Sequence, residues 1–445
     1  MHWSQRVALV YLSAILLMIW GYAIGAHKVW PYSVIKEIKA FVKGDPEEGH
    51  VSFFGKLSND FGGAPARKLV KYKPKADSKR TYVESKIKGL NKRRMQPLLY
   101  QSPQALPGLR LIFGTMDFEQ GLAGAILLDQ KGEVKHQWFL HEDGLEWDVL
   151  DGAARKFPHG LQIYPDGSIM FAYDRGASLQ KFDRCSQRIW AQKSYVDHSI
   201  SPDGQGNVWG IETPKHISRF NIETGELNRR VDMMSFVESN PEIDPLALRQ
   251  RDYSSQSYWN IKGGGYWHPN DVEPLLPDLA SAFPQFEVGD LLISLRSINL
   301  IFVVSPDSFK IRWWRIGAWR RQHDPDWQAD GTITVFNNNM HRGHSEIIKI
   351  DPKTYQTKVI FDGRVENFYT WMRGKHQVLD QGHIAITSPQ QGRVFEVDQE
   401  GQVVFEWINR YDDQRALIVS ELVHLKEDFF NIPLEDLAQC PSKSK

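Results

Sequence analysis

The chain has 445 residues, with 54 Lys+Arg balanced by 54 Asp+Glu. That balance excludes nucleic acid or another polyanion as the partner that overall charge would select, and the length exceeds what one small core can bury, which leaves several domains or one large repeat architecture. Fifteen Trp and 34 Gly suit many short strands with tight turns better than a helical bundle. The two cysteines, Cys185 and Cys440, lack the spacing of a zinc site; one disulfide joining tail to body and two free thiols are equally compatible with the sequence.

Residues 1–30 read as a membrane anchor. Val7 to Ala26 is an uncharged run of 20 residues without a polar face, and as a helix it reaches about 30 Å, the thickness of a hydrocarbon core. The run is longer than the apolar region of a secretory signal, which favours an uncleaved anchor. Only Arg6 precedes it, whereas Lys28, Lys36, Lys39 and Lys43 follow, so the positive-inside rule taken alone puts the body in the cytoplasm. In residues 31–107, Val34, Ile35, Ile38, Phe41 and Val42 predict a short amphipathic helix at the membrane surface. The rest of that segment is a linker rich in Lys, Arg, Gly and Pro. Its basic stretch at 68–94 reads as a solvated connection, with contact to anionic head groups or a polyanionic substrate as the alternative.

From residue 108 to 415 short alternating strands repeat. The pattern D-x-x-G-x-V-x-x-x-W occurs at 129–138 and again at 398–407, and it predicts a turn between two antiparallel strands with a Trp on the outer one. A second unit, a His followed by an apolar strand and an Asp-Gly or Gly turn, recurs from His159, His198, His323 and His376, while His268 heads the same unit with a long insertion. A period of about 40–50 residues with four short strands per unit marks propeller blades. Units begin near 109, 157, 196, 266, 321 and 374, which predicts a six-bladed, all-β propeller, with residues 416–445 as a C-terminal tail. The insertions 232–265 and 274–288 both flank the His268 strand, and insertions on a repeat scaffold usually become loops over the binding face.

In a propeller the first strand of each blade lines the central channel, so a His at the head of that strand in successive blades converges on the axis. A lone His there is most often a satisfied polar residue; five at equivalent positions are different, because the repeat gathers them. The residues alone leave metal ligation, acid/base chemistry and nucleophilic catalysis all open. Arg296, on the strand after His268, would oppose a metal dication and grip an anionic substrate if it points inward, or pair with a surface carboxylate if it does not.

The stretch 109–410 resembles the bacterial arylsulfotransferases, which work without the nucleotide sulfate donor. The matching motifs are the strand 158–167 that carries His159, the His268-Pro269-Asn270 triplet, the strand 289–296 ending at Arg296, and Gln322-His323 followed by the 332–339 strand with its Asn run. The pair from Gln322 to Asn339 is the most specific. The resemblance implies transfer of a sulfuryl group from an aryl sulfate to a phenolic or other hydroxyl acceptor through a sulfohistidine. It makes His323 the nucleophile and lets His159, His268 and Arg296 hold the sulfuryl oxygens, with one of the two histidines protonating the departing phenolate. Asn270 is expected to orient His268, and His198, His376, Trp267 and Trp371 to contact substrate. Rings expected near the channel mouth (Tyr266, Trp267, Trp319, Trp327, Tyr369 and Trp371) favour aryl groups. No metal or diffusible cofactor is required. Because the family works outside the cytoplasm, the resemblance places the propeller on the periplasmic side of the inner membrane, against the lysine count. The chain departs from the family in lacking an evident N-terminal β-domain and a cysteine pair near the nucleophile, and in having Asp324 where Thr is frequent.

Overall fold

The predicted turns form by a common local device. Asp129, Asp183, Asp203 and Asp398 each use one carboxylate oxygen to accept backbone N–H groups ahead of them, as in Asp129 Oδ1 with Lys131 N at 2.8 Å and Glu133 N at 2.9 Å. A carboxylate mimicking a backbone turn in this way brings the chain back as a hairpin. At Gly132 and Gly401, which sit at φ of 76° and 77°, the turn needs a left-handed residue.

The computed structural model describes residues 80–141, 144–145, 158–173, 178–212, 215–243 and 267–440, with 69–71 and the isolated positions 13, 18 and 20. Except for those three positions, the apolar run 7–26 and the amphipathic segment 31–42 lie outside the described residues. Among the described residues no helix is long and apolar enough to cross a membrane.

Six antiparallel sheets make up six blades. Their innermost strands are Val419–Leu425 in blade 1, Pro158–Ile163 in blade 2, Val196–Pro202 in blade 3, Pro269–Pro274 in blade 4, His323–Trp327 in blade 5 and Lys375–Val378 in blade 6. Each inner strand touches the next, and the last touches the first, so the ring is complete. Blade 1 is mixed in origin. Its outer three strands, Leu109–Phe118, Gly121–Leu128 and Val134–Leu140, come from the start of the repeat, and the end of the chain supplies the fourth. Residues 419–425, expected in the tail, therefore belong to the propeller. On blade 6, Leu98–Gln101 and Val83–Glu84 extend the sheet to six strands, so part of the expected linker is also sheet.

Every seam between neighbouring blades holds one apolar cluster, and the six clusters account for six seams. The strand period of two explains how a blade serves both neighbours. Phe171 faces the blade 1–2 cluster, whereas Met170 and Ala172 on either side of it face the blade 2–3 cluster. The repeated Trp ties blades together at the rim: Trp138 Nε1 donates to Gly167 O of blade 2 at 3.0 Å, and Trp190 Nε1 of blade 2 donates to Ile222 O of blade 3 at 3.1 Å. The insertion at 274–288 joins the inner strand of blade 4 to its second strand at the end away from His268, where Leu275, Phe283 and Phe286 pack with Trp327. It thus covers the opposite end from the one expected. The other insertion is described only to residue 243, where Met234–Ser239 is helical.

Candidate active site

The inner strands of blades 1 to 5 share a feature that the repeat pattern does not announce. Each has a break in register at its head: Val419/Glu421, Pro158/Leu161, Asp197/Ile200, Pro269/Asp271 and His323/Pro325. Such bulges bend the strand and re-aim a side chain. In blades 3 to 5 the strain falls on non-glycine residues, with His198 at φ 70°, His268 at φ 49° and Asp324 at φ 51°; in blade 2 it falls on Gly160 at φ 98°. Positive φ at a His costs on the order of 1–3 kcal/mol and persists where surrounding packing over-determines it, most often at functional sites.

The bulges bring four rings together. His198 is the hub: its ring centroid lies 4.4 Å from that of His159, 5.4 Å from His268 and 6.3 Å from His323. His159, His198, His323 and Arg296 are buried and His268 is half-buried; Arg296 follows the second strand of blade 4 and stands close enough to His323 to act on its charge. The backbone fixes that corner, since Arg296 N donates to His268 O at 3.1 Å.

His323 has the most closely defined state. Asn338 Nδ2 donates to Thr370 O at 2.9 Å and Arg373 O at 2.6 Å, so its amide oxygen must face the imidazole. That oxygen lies 2.6 Å from His323 Nδ1, which must therefore carry the proton, and Arg373 N donates to Nε2 at 3.2 Å. Nε2 is left as the lone-pair nitrogen. Burial first, then the charge of Arg296 and then that of His198, hold the His323 pKa well below the usual imidazole range. A neutral, oriented imidazole beside a guanidinium is a nucleophile for an anionic electrophile.

His159 and His198 share one carboxylate. Nδ1 of His159 bonds Asp197 Oδ1 at 2.9 Å, and Nδ1 of His198 lies 3.2 Å from Oδ2, within ion-pair distance though not aligned for a hydrogen bond. Burial alone would raise the Asp197 pKa, but the His198 charge and the His159 bond outweigh it and hold the carboxyl well below its usual range.

Other expected residues take different places. Asn270 Nδ2 donates to Gln322 O at 2.8 Å, so it braces the residue before His323. Gln322 itself is clamped to blade 4 through Ser294 Oγ at 3.0 Å and Leu300 O at 3.1 Å. His376 stands outside the group of four. The blade 6 strand pairs without a register break, and His376 turns toward blade 5, with Nδ1 3.0 Å from Asp324 Oδ2 and Nε2 2.8 Å from Thr334 Oγ1. Trp267 is buried in the apolar cluster between blades 3 and 4. Trp371 is half-buried on the same segment as Thr370 and Arg373. Trp319 and Trp327 belong to the blade 4–5 core, Tyr369 accepts a bond from His341 N through its hydroxyl, and Tyr266 lies outside the described residues. Asn338 and Asp197 went unassigned in the sequence. The signal for Asn338 was present: it directly follows the second strand of blade 5, as Arg296 follows that of blade 4.

Three described groups bring His and carboxylate atoms within 4.8 Å of one another. In His159–Asp197–His198 two imidazoles already face the carboxylate. In Asp324–Asp326–His376, Lys375 Nζ already supplies a cation 2.6 Å from Asp324. In His344–Glu346–Asp362, His344 lies 3.2 Å from Glu346.

The fold and these residues define a six-bladed propeller with four histidines and Arg296 gathered at the heads of its inner strands. Residues 160–410 match the model of the family described as Arylsulfotransferase (ASST), more than half of the chain, and the chain belongs to that family. No curated protein matches it significantly. Among solved structures it is similar to a protein of unknown function from Bacteroides caccae, at 14% identity over 72% of this chain and 100% of that one, with a TM-score of 0.44. It is also similar to a streptogramin B lyase, at 10% identity over 80% and 97% with a TM-score of 0.41. For a virginiamycin B lyase from Staphylococcus aureus the values are 12%, 56% and 69%, and the TM-score is 0.35.

Proposed function

We propose that the protein transfers a sulfuryl group from an aryl sulfate ester to a phenolic or other hydroxyl acceptor through a sulfohistidine on His323. The observation that carries this reading is the hydrogen bonding of His323: Nδ1 faces the amide oxygen of Asn338 at 2.6 Å, which assigns the proton to Nδ1 and the lone pair to Nε2, in a buried ring that feels the charge of Arg296. In the first half-reaction the Nε2 lone pair forms an N–S bond as the S–O bond to the aryl oxygen breaks. The 3.2 Å bond from Arg373 N is long and gives way as sulfur approaches. Arg296 and the His268 side meet the equatorial sulfuryl oxygens, whose charge a guanidinium fork suits. In the second half-reaction an acceptor oxygen takes the sulfuryl group and restores neutral His323.

The cellular setting follows from the same reading. The apolar run at 7–26 anchors the chain in the inner membrane with the propeller on the periplasmic side. In support, Cys185 and Cys440 are paired as a disulfide, which an oxidising compartment maintains. The test of function is incubation of the full chain with a chromogenic aryl sulfate, with and without phenol. Phenol-dependent release of the chromophore, lost in His323→Asn with folding intact, is expected. Release that is the same in His323→Asn would leave a binding scaffold or another chemistry as the function.

A further inference from the structure

The mechanism above needs a proton for the departing aryl oxide and a place to receive one from the acceptor hydroxyl, and His323 can serve neither purpose because its lone pair is engaged. We infer that Asp197 is a positioning residue that makes His159 and His198 a single proton-carrying unit, the acid for the donor half-reaction and the base for the acceptor half-reaction. The inference rests on the sulfuryl-transfer reading and deepens it.

The geometry behind it is specific. Asp197 is almost wholly buried, bonds Nδ1 of His159 at 2.9 Å and lies 3.2 Å from Nδ1 of His198. The same carboxylate also holds the backbone of His198, whose N–H donates to Asp197 Oδ1 at 2.7 Å and closes the bulge around it. Nδ1 of each ring points to the carboxylate, so Nε2 of each points away from it. With one extra proton, two imidazoles and one carboxylate carry no net charge, and a neutral assembly survives burial where a lone imidazolium beside Arg296 would not. The His198 ring lies nearest the centre of the cluster, 6.3 Å from His323 and stacked on it.

The step balances. As the N–S bond forms and the S–O bond breaks, the aryl oxygen keeps the bonding pair and takes the proton from Nε2 of one imidazole. As the acceptor oxygen bonds sulfur and the N–S bond breaks, its proton returns to the same unit. A phenol of low pKa leaves without help, whereas a poorer leaving group needs the proton. That difference provides the test.

Sulfurylation of the full-length chain is timed with para-nitrophenyl sulfate, a good leaving group, and with phenyl sulfate, a poorer one. In Asp197→Asn the rate with phenyl sulfate is expected to fall by about 100-fold or more, and the rate with the nitrophenyl ester by less than about 5-fold. Asp197→Glu, which keeps the charge, should recover part of the phenyl sulfate rate. Equal losses on both donors would show that Asp197 only supports the fold, and no loss would show that it has no part; either overturns the inference. If Asp197→Asn does not fold, His198→Asn replaces it, because Asn tolerates the positive φ at that position, and the same selective loss is expected. A wild-type chain that releases phenol from neither ester would instead refute the transferase reading itself.

Discussion

At the residue scale the site depends on where protons sit. Asn338 is an amide whose two ends are committed, one to backbone carbonyls and one to His323. Replacing it by Asp removes the donors and puts a carboxylate against the imidazole, which favours imidazolium and raises the His323 pKa. If His323 attacks sulfur as proposed, only its neutral form can do so, and Asn338→Asp should give a kcat/KM profile for aryl sulfate that falls at a higher pH than any fall in the wild type. The wild type, whose His323 pKa is held well below the usual value, should show no such fall from His323 between pH 8 and 6. A wild-type profile that loses activity on titration of a group near 6.5, and that Asn338→Asp does not move, would contradict this assignment. Much of this scale was legible in the sequence: His159, His198, His268 and His323 meet because repeat positions converge. The hydrogen bonds that choose a tautomer were not, since they cross from the head of one strand to the end of another. Asp197 stands next to His198 in the chain, yet that it also faces His159, one blade away, is a fact of three dimensions.

At the element scale the regular strands and turns follow from local chemistry, and the irregular ones do the aiming. Period-two apolar residues, Asp-Gly turns and outer-strand Trp fix the hairpins. The bulges at the heads of five inner strands carry no comparable signature, apart from Gly160, and in blades 3 to 5 non-glycine residues hold positive φ there against their own preference. That is why His376, on the strand without a bulge, was grouped with the other histidines by its place in the repeat but points elsewhere. The seam between blades 6 and 1 has a device of its own. Arg110 on blade 1 and Glu396 on blade 6 are both wholly buried and joined by two bonds, Nε to Oε1 at 2.9 Å and Nη2 to Oε2 at 2.8 Å, while the guanidinium lies over Phe405. Arg110→Ala leaves Glu396 charged and unpaired in the seam, which should cost about 3–5 kcal/mol in urea unfolding. The double replacement of Arg110 and Glu396 by Met should recover most of that loss, and a cost under about 1 kcal/mol for Arg110→Ala would show that water reaches the seam.

At the scale of the whole molecule the closure of the ring uses both ends of the repeat. The strand Val419–Leu425 completes blade 1, and beyond it Phe429, Ile432 and Leu437 pack on the blade 1–2 core before Cys440 reaches Cys185. A link spanning 255 residues of sequence restrains a long loop in the unfolded chain, so Cys185→Ser with Cys440→Ser should lower stability by about 2–5 kcal/mol. The sequence showed six units but gave the first an inner strand it does not have, because closure by a distant strand leaves no mark in local periodicity. The channel adds a pH dependence. Burial pushes Glu421 up to about 7, partly offset by Lys375 and reinforced by Asp324 and Asp271. A carboxyl raised in the folded state adds stability that is complete below its unfolded pKa and is lost as pH rises through the folded value. Glu421→Gln should therefore raise the melting temperature at pH 8, with the gain shrinking toward pH 5; a gain that grew toward pH 5 would contradict the assignment.

The claim on which the rest depends is that a ring nitrogen of one buried histidine becomes covalently bonded to sulfur. Mixing the chain with an aryl sulfate, quenching at alkaline pH where a sulfated imidazole survives, and mapping the adduct by mass spectrometry tests it directly. The account predicts one sulfuryl group on His323 that phenol removes with formation of phenyl sulfate. Turnover of the ester with His323 unmodified, or with the group on another residue, would contradict it.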